Sequence, residues 1–215
     1  MITQLKIAEL LCTRLCHDLT GPIGAMANGA EFLADEGFDM QAQAIDLIGS
    51  SAAQAVARLQ FYRKAYGRIN DSGEANIEEL KKTAGDFFAG TRIIIDWADN
   101  YTDASGVSIS YKMGRLLLNM LIISSASLIG GGTITIRLLN DGQFKKIELT
   151  SSGAKIKWEA ETETILNGHV AIESLTPKNV QIELTRMLAN EIEAGLAWSV
   201  KENSVELCAS KPISI

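Results

Sequence analysis

"RLCHDLTGPIGA", Arg14 to Ala25, sets a histidine in the middle of a helical pattern and follows it closely with Gly21, Pro22 and Gly24. Around it, Ala8, Cys12, Leu15, Leu19, Met26 and Leu33 fall on the a and d positions of a heptad, which predicts one long helix from about Thr3 to Leu33. On a helix advancing about 100° per residue, His17 points about 180° away from the midpoint of Leu15 and Leu19. It therefore faces away from the apolar seam. Thr13, Thr20, Gly21, Gly24 and Asn28 share its outer strip, and all of them are small or short. Glycine disfavours a helix interior by about 1 kcal/mol and proline by about 3 kcal/mol. Pro22 also lacks the N–H that would bond to the Asp18 carbonyl, so a kink is predicted one turn after His17. A sequence tolerates such a penalty more readily at a functional site than on an indifferent surface. An accessible neutral imidazole on that strip offers a nitrogen lone pair, which suits a nucleophile toward phosphorus.

Outward from this stretch, "ADEGFD", Ala34 to Asp39, supplies the residues of a tight connection. Ala44, Leu47 or Ile48, Ser51, Ala55, Leu59, Tyr62 and Tyr66 then repeat at steps of three and four, giving a second helix to about Gly67. Two helices with one seam cannot bury it fully between themselves, and a homodimeric four-helix bundle is the economical solution. Residues 68–76 change composition abruptly and read as a linker. The remainder, 77–215, mixes periods: a helix over Ile77 to Ala89, a strand in "RIIIDW", an apolar helix from Lys112 to Leu128, and a hairpin turning at Asn140-Asp141-Gly142. A helix over about Asn179 to Glu193 and a last hairpin at Glu202-Asn203 complete it. The fold class is α+β, a helical hairpin at 1–67 followed by a two-layer helix-and-sheet domain.

The 215 residues are 47% hydrophobic with a formal net charge of −6 and a sequence pI near 5.0. An acidic balance argues against nucleic acid as partner. "MITQLKIAELL" carries Lys6 and Glu9 and lacks the apolar run of a signal peptide or membrane span, so a cytoplasmic protein with no membrane contact is expected. Three cysteines form no disulfide framework. Cys12, Cys16 and His17 do not gather on one face as metal ligands would, and buried free thiols are the expectation, with no metal. His169 reads as a loop residue, and the acidic "EAETET" segment as solvated surface.

"HDLTGP", His17 to Pro22, resembles the phosphoacceptor box on the first helix of the dimerisation domain of sensor histidine kinases. Together with "RLQFYRKAYG", Arg58 to Gly67, the longer stretch "RLCHDLTGPIGAMANGAEFL" is similar to the ChpT-type bacterial histidine phosphotransferases, relay proteins built like a kinase. The second domain resembles the histidine-kinase ATP-binding (Bergerat) domain along nearly its whole length. There the kinase signatures are damaged. In "LLLNMLIISSAS", Asn119 stands at the first asparagine of the kinase box, but Ile123 stands where the second would bind magnesium, a cation that demands oxygen ligands. The D-x-G-x-G motif is represented by "SSGAK", Ser151 to Lys155, with only Gly153 retained, and "TPKNVQIELTRM" contains no glycine.

The resemblance implies a phosphotransferase that relays a phosphoryl group between receiver-domain aspartates of a hybrid kinase and of response regulators through His17, without ATP. It implies no cofactor bound by this chain, and Mg2+ on the partner receiver domain. Asp18 would assist His17, and Arg14 would neutralise phosphoryl oxygens or simply be a solvated surface residue. Receivers would dock along Thr13, Thr20, Gly21, Gly24 and Asn28. Gly21, four residues after the histidine, stands where kinases with phosphatase activity often carry threonine or asparagine. An ATP-using kinase with atypical contacts and a non-catalytic dimeric scaffold are the alternatives.

Overall fold

The computed structural model describes residues 2–34, 40–67, 73–98, 109–141 and 143–213. Most of the "ADEGFD" connection, the first half of the linker and Gly142 lie outside them. Two long antiparallel helices, α1 (Ile2–Ala34) and α2 (Gln41–Tyr66), form the hairpin. They are followed by α3 (Ile77–Phe88), β1 (Ile93–Trp97), α4 (Tyr111–Ala126), β2 (Gly132–Asn140), β3 (Phe144–Ser152), α5 (Ala160–Leu166), a 3-10 turn at Ile172–Ser174, α6 (Val180–Glu191), β4 (Gly195–Lys201) and β5 (Ser204–Pro212).

The strands make one sheet in the order β1-β2-β3-β5-β4. Only the β1/β2 pair is parallel, with Ile95 opposite Ile134; the other pairs are antiparallel, as their hairpin connections require. Ile134, Ile136 and Leu138 of β2, Ile147, Leu149 and Ser151 of β3, and Val205, Leu207 and Ala209 of β5 alternate inward. Polar residues such as Arg137, Glu148 and Glu206 occupy the other face of the same strands, so the sheet buries one side only and the domain has two layers. α4 is buried from Met113 to Ser124 apart from a half-buried Arg115, because it lies between the sheet, α6 and the hairpin. At the β2–β3 turn the Asp141 carboxylate accepts the backbone N–H groups of Gln143 and Phe144, at 3.0 and 2.7 Å.

The expectations that change concern the seam of α1 and its thiols. The acidic "EAETET" segment is largely exposed, as expected, and it opens α5, which buries Thr162, Ile165 and Leu166. The end of the hairpin packs on the second domain: Phe61, Tyr62 and Ala65 of α2 share a core with Leu80, Leu118 and Leu121. A second cluster joins Ile7 of α1 to Ile165, Leu175 and Val180. The seam of α1 is rotated. Among its described side chains Ile7, Pro22 and Gly29 are the buried ones, while Ala8, Cys12 and Leu33 are exposed. The reason is that α1 packs against α2 on one side and near its start against α5 and α6, leaving a neighbouring apolar strip open. That strip carries Leu5, Ile23 and Leu33 on α1, and Ile45, Val56 and Leu59 are exposed on α2. Cys12 and Cys16 are exposed free thiols, not buried ones.

Candidate functional site

α1 is helical throughout, Pro22 included. His17 stands out from it with 87% of its side chain exposed, and its Nδ1 lies 3.3 Å from Asp18 Oδ1. Asp18 is the inward-turned member of the pair. Its second carboxylate oxygen, Oδ2, accepts the hydroxyl of Tyr62 from α2, and its backbone carbonyl accepts Arg58 Nη1. Pro22 explains the second contact: the residue four places after Asp18 has no N–H to give, so that carbonyl is left without its helical donor and Arg58 supplies one. Burial and the adjacent Asp18 carboxylate push the Tyr62 pKa far above that of a free phenol, so the hydroxyl remains a donor. Tyr62 is itself fixed by stacking on Tyr66, with ring centroids 5.0 Å apart, and by an edge contact with Phe61.

The outer strip is as open as the heptad phase predicts. Thr13, Thr20, Gly21 and Asn28 are exposed and Gly24 is half-buried; a Cβ added at Gly21 or Gly24 would meet nothing within 4 Å. The Thr13 and Thr20 hydroxyls donate back to the Glu9 and Cys16 carbonyls, at 2.9 and 2.8 Å, which keeps them flat on the helix. Gly29, by contrast, is where α1 and α2 approach closely, since a Cβ there would fall 2.7 Å from Ile48 Cγ1. Arg14 is not a solvated surface arginine, since its side chain is only 21% exposed. Its Nε is 3.8 Å from Asp18 Oδ2, and Nη1 donates to the carbonyls of Lys178 at 3.1 Å and Pro177 at 3.4 Å. It ties α1 to the segment before α6, the stretch that lacks the kinase glycines.

The positions corresponding to kinase nucleotide ligands are turned inward. Asn119 is fully buried, donating to the carbonyls of Ala65 (2.8 Å) and Arg115 (2.7 Å) and accepting Gln181 Nε2 at 2.7 Å. Gln181 in turn accepts the Tyr66 hydroxyl at 2.5 Å. Arg115 donates to Ala65 and Tyr66 carbonyls at 3.1 and 3.0 Å. The last carbonyls of α2, which a helix end leaves unsatisfied, are thus capped by α4. Ile123 is buried, and the buried Ser151 hydroxyl donates to the Ser124 carbonyl at 3.3 Å. A cleft of about 200 Å³ remains beside α4 and the start of α6, lined among others by Arg14, Ile123, Trp158 and Asn179. It is smaller than the roughly 300–1,000 Å³ usual for small-molecule sites.

What this surface offers chemically is one outward imidazole nitrogen with a carboxylate on the other. Among the described residues no group of three His, Cys, Asp or Glu side chains could hold a metal ion, and no helix is long and apolar enough to cross a membrane. Sequence reasoning missed Arg58 and Tyr62 as parts of the site; Tyr62 was placed in the seam by its spacing. The signal was present in Pro22, whose missing donor announces an open carbonyl at Asp18, and in an antiparallel hairpin that brings α2 against that turn.

A family model described as the histidine phosphotransferase C-terminal domain matches residues 77–204. The protein phosphotransferase ChpT of Brucella abortus is 30% identical over 210 residues, covering 97% of this chain and 96% of that protein. A 1.7 Å structure of a bacterial phosphotransferase superposes with a TM-score of 0.81 at 28% identity, covering 95% of this chain and 96% of the other. The catalytic domain of the histidine kinase ThkA gives a TM-score of 0.50 at 17% identity over 65% of this chain and 94% of its own, a likeness of fold alone.

Proposed function

The chain belongs to the histidine phosphotransferase family, and from that premise we propose that His17 is the residue that carries the phosphoryl group of a phosphorelay. The observation that carries the proposal is the exposed imidazole with Asp18 Oδ1 against its Nδ1. With Nδ1–H donating to the carboxylate, the lone pair resides on Nε2 and points to solvent. That nitrogen attacks the phosphorus of an aspartyl phosphate on a receiver domain. The N–P bond forms as the P–O bond to the receiver aspartate breaks, and that aspartate leaves as its carboxylate. The imidazole becomes cationic once both nitrogens are substituted, and the Asp18 carboxylate balances its charge. The reverse steps deliver the group to a second receiver. Positioning and charge neutralisation suffice for such chemistry, with Mg2+ contributed by the receiver.

Receivers would dock along Thr13, Thr20, Gly21, Gly24 and Asn28, where short side chains admit a close partner. A second copy of the chain covers the open strip of Leu5, Ile23, Val56 and Leu59, completing a four-helix bundle. An ATP-using kinase is disfavoured by the engagement of Asn119 and by Ile123. The setting is the cytoplasm, where exposed Cys12 and Cys16 stay reduced.

The test is phosphoryl transfer from a phosphorylated receiver domain to the wild type and to His17→Ala, with labelled ATP as a parallel arm. Label on the wild type only, and none from ATP, is expected. Equal behaviour of the two proteins would leave a scaffold as the better reading, and self-labelling from ATP a kinase. For the dimer, Leu59→Glu is expected to shift sedimentation from dimer to monomer; an unchanged species would remove α2 from the interface.

A further inference from the structure

Asp18 is held from three sides, and its grip is asymmetric. Oδ2 accepts the Tyr62 hydroxyl and lies 3.8 Å from Arg14 Nε, the carbonyl accepts Arg58, and only Oδ1 remains for His17 Nδ1. A carboxylate on an exposed helix normally rotates among its rotamers, and an imidazole beside it would then exchange freely between tautomers. Here neither the backbone nor the carboxylate plane of Asp18 is free to turn. We propose that Tyr62 and Arg58 of α2 are positioning residues for His17. They act through Asp18, holding its Oδ1 as the acceptor of Nδ1–H and so keeping the Nε2 lone pair outward for the receiver. This rests on His17 being the phosphoryl carrier.

The division of labour follows from the chemistry of each contact. Arg58 fills the acceptor that Pro22 opens, so the proline one turn after the histidine is what admits a side chain of the second helix to the backbone of Asp18. Tyr62 saturates Oδ2 with a neutral donor. It removes that oxygen from competition for the histidine proton.

Tyr62→Phe removes the hydroxyl and retains the ring that packs on Phe61 and Tyr66. The expected result is about tenfold slower phosphoryl uptake from a phosphorylated receiver domain, in line with loss of a hydrogen bond to a charged group. Nitrogen-15 NMR of labelled histidine in mildly alkaline solution is expected to show His17 mainly as the Nδ1–H tautomer in the wild type and as a mixture in Tyr62→Phe and Arg58→Met. In an Asp18→Asn background, Tyr62→Phe is expected to add nothing to the loss, because a residue acting through Asp18 has no further route. Unchanged tautomer and rate in Tyr62→Phe, or fully additive losses in the double variant, would overturn the proposal. Failure of the wild type to accept phosphoryl would instead overturn the role of His17, and the tautomer measurement would still decide whether Tyr62 and Arg58 orient the ring.

Discussion

The outer turn of α1 and the cleft beside α4 both lie at stretches whose sequence resembles kinase motifs, yet they dispose of their polar atoms in opposite ways. At the first, His17 is 87% exposed, and its neighbours are held so that one nitrogen remains uncommitted. At the second, Asn119 is fully buried and its side chain makes three hydrogen bonds within the protein. A side chain engaged and buried in this way contributes to stability and is out of reach of a ligand. Reactivity in this molecule sits where hydrogen-bonding capacity is withheld, and rigidity where it is exhausted.

The largest effect expected from breaking this contrast is that of His17→Gln. Phosphoryl uptake should vanish while the urea midpoint stays within error of the wild type, since an exposed side chain is packed against little. A large loss of stability would show that the outer turn is structural after all. Asn119→Ala should do the converse. It removes one of the two donors on the Ala65 carbonyl and strands the Gln181 amide, and unfolding in urea should reveal a loss of about 1–3 kcal/mol. A neutral result would mean that the clamp at the end of α2 carries no stability. Glycine substitutions sharpen the same comparison along a single helix. Gly29→Ala forces a Cβ to within 2.7 Å of Ile48 and should destabilise by about 1–3 kcal/mol. Gly21→Ala meets open space and should stabilise by about 0.5–1 kcal/mol, the smallest of these effects, read as a rise in thermal midpoint. Equal responses at the two glycines would deny that α1 has distinct contact and outer faces.

Much of this was legible from residue spacing, because spacing reports which residues share a face. The phase of "RLCHDLTGPIGA" puts His17, Gly21 and Gly24 outside, and the alternation of Ile134, Ile136 and Leu138 marks a one-sided sheet. What spacing could not settle was which apolar face of α1 meets its own chain. Ile7, Pro22 and Gly29 on one side and Leu5, Ile23 and Leu33 on the next are both compatible with burial. The contacts of Arg14, Arg58 and Tyr62 were hidden for another reason. Their partners lie 163 or 164, 40 and 44 residues away, and periodicity carries no information across such separations.

The clamp at the end of α2 has a consequence for reversibility. Replacing Ile123 by asparagine would restore the missing oxygen ligand of the kinase box on paper, but it would not restore nucleotide binding. Asn119 would first have to abandon Ala65, Arg115 and Gln181, and the last turn of the hairpin would keep only the donors of Arg115. A single substitution toward the kinase pattern is therefore opposed by the same bonds that hold the two parts of the chain together.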